Sequence, residues 1–185
     1  MDRLLDPLLR FLRVRRVRSY ISRGAVVLDV GCGFKARLLR SLLPLISKGI
    51  GIDMDVPEGE EGNITLKKGL LEKTLDQETS SVDVVTLTAV LEHLQYPEDI
   101  LKEIYRVLRP GGTLIITVPT WAARPVLEVL AYKLHVIEEG EIRDHKRYFW
   151  KRDLSRMLVS AGFKTEHITQ AYFEAGFNLF AVAKK

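Results

Sequence analysis

The sequence contains little cysteine and no long apolar run. Cys32 is the only cysteine among 185 residues, which excludes an intrachain disulfide and suits a reducing compartment, so we expect a cytoplasmic protein. No stretch approaches the roughly 20 consecutive apolar residues that a membrane-spanning helix needs. The arginine-rich start is not followed by the apolar segment of a secretory signal, so no such signal is predicted.

Neither sign of charge dominates the chain. Lys and Arg number 28 against 24 Asp and Glu, and the formal net charge is +4 at pH 7. This excess is too small to indicate a nucleic-acid-binding protein by itself. The apolar fraction of 46% is ordinary for a globular protein, and we expect residues 1–185 to form a single domain.

Arginine is nevertheless concentrated near the N-terminus, where residues 3–23 contain seven. Apolar residues recur there at steps of three and four, which predicts a basic amphipathic helix within residues 1–23. These apolar residues are Leu4, Leu8, Phe11, Val14, Val17 and Ile21. The helix either packs this stripe on the domain with its arginines in water, which we favour, or it meets phosphate, an anionic lipid or an acidic partner.

A buried strand, a glycine turn and a helix are predicted in succession over residues 25–39. The apolar run 26–30 is short enough for a strand that is buried on both faces, and leucines at helical spacing follow after Gly31 and Gly33. Such a turn brings free backbone N–H groups and the positive end of a helix dipole together, and its glycines let a ligand approach the backbone. The alternative is an ordinary tight turn of an α/β protein.

Apolar runs and helical patterns alternate along the rest of the chain. Further strands are predicted at 48–53, 63–67, 82–87, 113–118, 165–169 and 177–183. Helices are predicted at 70–75, 97–108, 125–136 and 153–161. This alternation predicts a doubly wound, mainly parallel α/β sheet. Residues 54–62 leave little room for the helix that usually connects parallel strands, and residues 120–147 form a less regular insertion.

Small and acidic residues stand where the predicted strands end, which is where ligands bind in open α/β sheets. Asp53 closes the second strand, 20 residues after Gly33, and suits the two hydroxyls of a ribose. The alternative is that Asp53 only caps a loop. The pattern Gly31-x-Gly33-x-x-Ala36 formally fits a dinucleotide fingerprint. However, the carboxylate of Asp29 lies two residues before the first glycine, where it opposes a pyrophosphate and suits a ligand with an ammonium group.

The sequence resembles the class I S-adenosylmethionine-dependent methyltransferases in motifs that follow the family's order. They are V-L-D-V-G-C-G at 27–33, G-I-D-M at 51–54, V-D-V-V-T-L-T-A-V-L-E-H-L at 82–94, R-V-L-R-P-G-G-T-L at 106–114, and D-H-K-R-Y-F at 144–149 with A-G-F at 161–163. The nearest branch acts on small molecules and includes ubiquinone-biosynthesis O-methyltransferases. The resemblance implies a Rossmann-like methyltransferase fold with a seven-stranded, mainly parallel sheet and an antiparallel last strand. It also implies S-adenosylmethionine as cofactor and S-adenosylhomocysteine as product.

The resemblance assigns the methionine end of the cofactor to the glycine turn. Asp29 and the backbone of Gly31, Cys32 and Gly33 would hold this end, and Thr88 would line the cofactor near its amino group. Cys32 itself is interpreted as a small residue in a crowded turn rather than as a nucleophile.

The resemblance assigns the adenosine end to the second strand. Asp53 would bind the ribose hydroxyls, and Met54 would lie against the adenine as a polarizable contact. The chain departs from the family in two places. Lys35 stands where many members have a third glycine, and residues 68–71 lack the acidic residue that contacts the adenine in many members.

Methyl transfer from a sulfonium needs no protein nucleophile, and a general base is required only for some acceptors. His93 and His145 are the histidines best placed for that role, and the alternative for each is a structural histidine. The insertion at 120–147 would shape the acceptor side in this family. No group of Cys, His and Asp has the spacing of a metal site, so no metal is predicted.

Three classes of function remain open from the sequence. The favoured one is methyl transfer to a small-molecule acceptor, which includes lipids and glycans. The second is modification of RNA or protein, with the arginine-rich helix as the docking element. The Asn-Pro-Pro-aromatic signature of base-modifying methyltransferases is absent after the fourth strand, which argues against a nucleic-acid amine as the acceptor. The third is a non-catalytic cofactor-binding protein. Oligomeric state and peripheral contact with a membrane stay open.

Overall fold

The computed structural model describes residues 6–71, 73–124 and 146–185 of the chain. The strands are β1 (Ala25–Val30), β2 (Ile46–Asp53), β3 (Gly59–Glu61), β4 (Ile64–Lys68), β5 (Val82–Thr88), β6 (Leu108–Pro119), β7 (Ile168–Phe173) and β8 (Asn178–Lys184). The α-helices with described bounds are α1 (Asp6–Arg18), α2 (Arg37–Leu42), α3 (Pro97–Val107) and α4 (Lys151–Ala161). No helix within the described ranges has the length and apolarity to cross a membrane.

All eight strands belong to one sheet, in the order β3-β4-β2-β1-β5-β6-β8-β7. The pairs β1–β2, β1–β5, β2–β4 and β5–β6 are parallel, whereas β8 runs antiparallel to both β6 and β7. The predicted mainly parallel sheet with an antiparallel last strand is therefore confirmed. The eighth strand is the short β3, which forms an antiparallel hairpin with β4 and accounts for the difference from the seven strands expected.

Apolar side chains cover both faces of the sheet, as a doubly wound fold requires. On one face, Ile104 of α3 and Leu158 of α4 belong to a large buried cluster. On the other face, Val17 near the end of α1 and Leu39 of α2 belong to a second cluster. The connection from β2 to β4 is the hairpin with β3 rather than a helix, in line with the little room predicted at 54–62.

The short helix predicted at 70–75 is wrong for the residues that the structure describes there. The Leu75 N–H donates to Glu103 Oε2 at 3.0 Å, and the Leu75 carbonyl oxygen accepts from Arg106 Nη2 at 3.1 Å. These side chains of α3 thus bind the backbone groups that a helix would have used. Tertiary contacts therefore outweigh the local helical pattern in this segment.

The apolar residues of helix α1 pack on the domain only in part. Val17 is fully buried, but Phe11 is 61% exposed. Two arginines lie against the protein instead of in water. Arg13 Nη2 is 3.4 Å from Glu174 Oε1, and the Arg16 guanidinium lies 4.4 Å from the centre of the Phe180 ring. The prediction that the arginines point into water is therefore wrong for these two.

The flanks of the insertion meet at the carboxyl ends of β5 and β6. The Lys146 N–H donates to the Glu92 carbonyl oxygen at 3.0 Å, and the Phe149 N–H donates to the Pro119 carbonyl oxygen at 3.0 Å. Arg147 Nη1 donates to the carbonyl oxygen of Leu94 at 2.5 Å. The helix predicted at 125–136 lies outside the described residues.

Candidate functional site

The turn after β1 is fastened to the neighbouring strand β2. The N–H groups of Gly31 and Cys32 both donate to the Ile52 carbonyl oxygen, at 2.8 and 3.2 Å. The Gly33 N–H donates to Asp53 Oδ2 at 2.8 Å. The expectation of free N–H groups at these three residues is therefore wrong, because the protein itself uses them. Helix α2 is also only six residues long.

The turn offers open space rather than donors. Gly33 has a φ of +69°, and a Cβ built on it meets no atom within 4 Å, so a ligand has room beside the backbone. Gly31 has a φ of +75°, but a Cβ there would lie 2.2 Å from Val90 Cγ2. The absence of a side chain at Gly31 is thus required by the packing of Val90 as well as by the turn.

Asp29 presents a buried carboxyl group at the end of β1. It is 2% exposed, and its Oδ1 accepts a hydrogen bond from Thr86 Oγ1 at 2.6 Å. Burial raises the pKa of Asp29 to about 7, the Thr86 hydroxyl opposes this increase, and the charge of Asp53 adds to it. The carboxyl has a neutral hydroxyl as its described partner, and a cationic ligand would stabilise its ionised form.

Asp53 stands at the carboxyl end of β2 and joins two loops. Its Oδ2 accepts from the Gly33 N–H, and its Oδ1 accepts from the Asp55 N–H at 3.0 Å. Each oxygen keeps a lone pair for a further donor, because a carboxylate oxygen accepts more than one hydrogen bond. The side chain is therefore positioned for a ligand with two neighbouring hydroxyl groups.

Two cavities meet at the glycine turn. One has a volume of about 510 Å³ and is lined by Asp29, Thr88 and Arg13 among others. The other has a volume of about 610 Å³, and its lining includes Asp53 and residues of the loop after β5. Residues 31, 33 and 34 line both cavities. The pair provides room for an elongated ligand that passes over the turn.

The remaining predicted site residues fall into this region where they are described. Met54 and His93 line the larger cavity. Cys32 lines the smaller one, and burial raises the pKa of its thiol to about 12. The thiol thus stays protonated and is a poor nucleophile. Lys35, which stands in place of the third glycine, lines the smaller cavity as an exposed side chain. His145 lies outside the described residues.

The sequence analysis missed one charged residue that lines the site and one buried carboxyl that lies next in the chain to His93, which lines the larger cavity. Arg13 reaches the smaller cavity from α1, and its Nε is buried without a hydrogen-bond partner among the described residues. Glu92 is 1% exposed on the loop after β5. Arg13 was one of seven similar arginines, so the pattern gave no reason to single it out. The acidic residue inside the apolar run L-E-H-L was the available signal for Glu92.

Comparisons with known proteins identify the family of the chain. A family model described as a methyltransferase domain matches residues 2–168. The ubiquinone biosynthesis O-methyltransferase of Aeromonas salmonicida is 27% identical over 173 residues, which cover 87% of this chain and 72% of that protein.

Solved structures show the same fold. A SAM-dependent methyltransferase of Archaeoglobus fulgidus superposes with a TM-score of 0.72 at 19% identity, over 96% of this chain and 94% of that one. A Haloferax volcanii methyltransferase in complex with the Trm112 methyltransferase activator has a TM-score of 0.71 at 17% identity, over 100% and 98% of the two chains. The family model spans most of the sequence, and the resemblance drawn from the motifs is confirmed. The chain belongs to the class I S-adenosylmethionine-dependent methyltransferases.

Proposed function

We propose that this methyltransferase acts on a small-molecule acceptor and binds S-adenosylmethionine across the glycine turn. The observation that carries the proposal is the Asp29 carboxyl, which is buried beside an open cavity with a neutral hydroxyl as its described partner. A buried carboxylate without a cation is costly, and the ammonium group of the cofactor supplies one. The residues present therefore fit this cofactor.

The methionine end fits the smaller cavity by charge. Asp29 would receive the ammonium group, and Arg13 would receive the carboxylate, since both side chains line this cavity. The space beside Gly33 would hold the chain between these two groups. Thr88 lines the same cavity and would contact the cofactor near its amino group.

The adenosine end fits the larger cavity. Asp53 would accept hydrogen bonds from the two ribose hydroxyls while it continues to hold the turn. Met54 is 57% exposed there, and its polarizable side chain would cover the adenine. Gly69 and Leu70 line the same cavity, so the backbone after β4 would replace the acidic adenine contact of other members.

The cofactor supplies a methyl group that is already activated by the sulfonium. The protein then has to orient the acceptor atom and exclude water. The protonated Cys32 thiol does not compete as an acceptor. His93 lines the larger cavity and remains a candidate base, and the role of His145 stays a prediction. An oxygen acceptor is supported by relatives whose name is O-methyltransferase of ubiquinone biosynthesis.

Substitution of Asp53 tests the cofactor site through thermal unfolding. A ligand at 100 times its Kd adds about 2.7 kcal/mol to the free energy of unfolding, which raises the midpoint by several degrees. We expect this increase with S-adenosylmethionine and S-adenosylhomocysteine but not with NAD. Asp53→Ala should remove most of it, whereas the exposed control Asp76→Ala should keep it. An unchanged increase in Asp53→Ala would contradict the ribose assignment.

Docking of RNA or an acidic protein through α1 has less support. Arg13 is engaged with Glu174 and Arg16 with aromatic rings. Among the helix residues whose burial is described, Arg15 and Arg18 are the exposed arginines. Binding of such a partner would weaken steeply with salt. Cytoplasmic location stays a prediction, and oligomeric state and peripheral membrane contact stay open.

A further inference from the structure

One side chain reaches both cavities of the candidate site. Residues 31, 33 and 34 line the two cavities, and the first two are glycines, so Phe34 is the one described residue that contributes a side chain to both. Phe34 is 62% exposed. A single exposed phenylalanine is common on protein surfaces, but this one stands at the junction of two cavities. A ligand that passes over the glycine turn would therefore lie beside the Phe34 ring.

The backbone on both sides of Phe34 is held in place. The Gly33 N–H donates to Asp53 Oδ2 at 2.8 Å, and the Ala36 N–H donates to the Gly33 carbonyl oxygen at 3.0 Å. Ala36 has a φ of +42° and is fully buried, so it anchors the end of this turn. The ring thus stays at the junction, and rotation of its own side chain is the main freedom that it keeps.

None of the described carboxylates lines both cavities. Asp29 lines the smaller cavity, whereas Asp53 and Asp55 line the larger one. Three cationic side chains line the smaller cavity, namely Arg13, Lys35 and Arg37. A positive charge at the junction therefore meets an aromatic ring as the described side chain that is common to the two cavities. The face of such a ring attracts a cation within about 6 Å of its centre.

We propose that the face of the Phe34 ring binds the sulfonium of the cofactor and thereby strengthens binding of S-adenosylmethionine relative to S-adenosylhomocysteine. This inference rests on the function proposed above, in which the methionine end occupies the smaller cavity and the adenosine end the larger one. The sulfonium joins these two ends, so it falls at the junction. The neutral thioether of S-adenosylhomocysteine gains no cation–π attraction.

The two ligands differ only at sulfur, where S-adenosylmethionine has an additional methyl group and a positive charge. Both carry the ammonium, the carboxylate and the ribose that are assigned to Asp29, Arg13 and Asp53, so these contributions cancel when the two affinities are compared. Phe34 acts on the charge that remains. Methyl transfer removes this charge, so the attraction is lost in the product, which leaves more readily. The ring favours binding of the donor rather than the rate of transfer, because the positive charge on sulfur already declines in the transition state.

Calorimetry in the absence of an acceptor tests this role of Phe34. The Kd values of S-adenosylmethionine and S-adenosylhomocysteine are measured for the wild type, Phe34→Leu and Phe34→Tyr. Leucine keeps an apolar side chain beside the methyl group but has no ring face, whereas tyrosine keeps the ring. In Phe34→Leu, we expect the preference for S-adenosylmethionine over S-adenosylhomocysteine to fall about 3–30-fold. Phe34→Tyr should keep this preference within about twofold of the wild type.

Phe11 provides a matched control on helix α1. It is 61% exposed, almost as much as Phe34, and it lines neither cavity. Phe11→Leu should therefore leave both affinities within about twofold of the wild type. If Phe34→Leu fails to fold, Phe34→Met is a second variant that lacks the ring and retains an apolar side chain.

The ratio of the two affinities decides the outcome. An equal loss of affinity for both ligands in Phe34→Leu would show that the side chain supplies only apolar contact, and unchanged affinities would show that the ring does not reach the sulfonium. Either result overturns the proposal, as does a loss of preference in Phe34→Tyr that matches the loss in Phe34→Leu. A wild type that binds neither ligand would instead refute the proposed function.

Discussion

The affinity for S-adenosylhomocysteine is predicted to depend strongly on pH because its ammonium group is assigned to Asp29. The pKa of this buried carboxyl is raised to about 7 in the ligand-free protein. The ammonium binds the ionised form, so the apparent Kd varies inversely with the ionised fraction. That fraction is about 3% at pH 5.5 and about 50% at pH 7.0. The affinity should therefore increase roughly fifteenfold over this range, equivalent to about 1.6 kcal/mol.

Isothermal titration calorimetry between pH 5.5 and pH 7.0 measures this increase directly. The range ends below the pKa of about 7.7–8.0 of an α-amino group, so the ligand stays cationic. Asp29→Asn should bind more weakly and without the pH dependence. Glu92→Gln should keep the full dependence, which separates Asp29 from the other carboxyl that titrates near pH 7.

The predicted change of affinity with pH has only one possible direction. A carboxyl with a raised pKa must lose its proton before it pairs with a cation, so affinity can only increase with pH in this range. An affinity that is constant within about twofold, or one that falls, would show that Asp29 does not hold the ammonium. The same slope in Asp29→Asn would assign the dependence to another group.

Two further substitutions test the packing around the site. Gly31→Ala should lower the free energy of unfolding by about 1–3 kcal/mol, because its Cβ would lie 2.2 Å from Val90 Cγ2. Adding Val90→Ala should restore part of this loss. If the two substitutions change the free energy of unfolding additively in chemical denaturation, this contact is contradicted. Lys185→Ala should lower the free energy of unfolding by about 1–3 kcal/mol, because Lys185 Nζ donates to the carbonyl oxygens of Tyr105 and Leu108 at 2.7 Å beside the end of α3. An unchanged midpoint of urea unfolding would refute this role.

The helices and strands predicted well from the sequence are those whose type and limits depend on residues that are close in the chain. Strand β5 was predicted at 82–87 and is Val82–Thr88, because a run of β-branched residues suits a buried strand. Helix α3 was predicted at 97–108 and is Pro97–Val107. Its limits follow from local chemistry, since Pro97 occupies the first turn and the acidic Glu98 and Asp99 follow.

Elements that depend on distant partners were predicted less well. Strand β6 was expected at 113–118 but begins at Leu108, because it also pairs with β5 at Val82, before a register shift. The segment at 70–75 has a helical pattern, but Glu103 and Arg106 bind the backbone of Leu75. Nothing in the pattern of either segment indicates these partners.

The residues of the candidate site also differ in whether local sequence indicates them or only distant contacts do. Asp29, Asp53 and the glycine turn could be predicted as candidates from the sequence because strand ends and their residue types are local features, and the carboxyl ends of parallel strands necessarily share one edge of the sheet. Arg13 and Glu92 were not found. The proximity of Arg13 and Glu92 depends on α1 and the loop after β5 approaching each other, and their burial leaves an atom of each without a partner among the described residues. Burial and the distances between charged groups arise only when separate segments pack together, so the order of residues in the sequence does not reveal them.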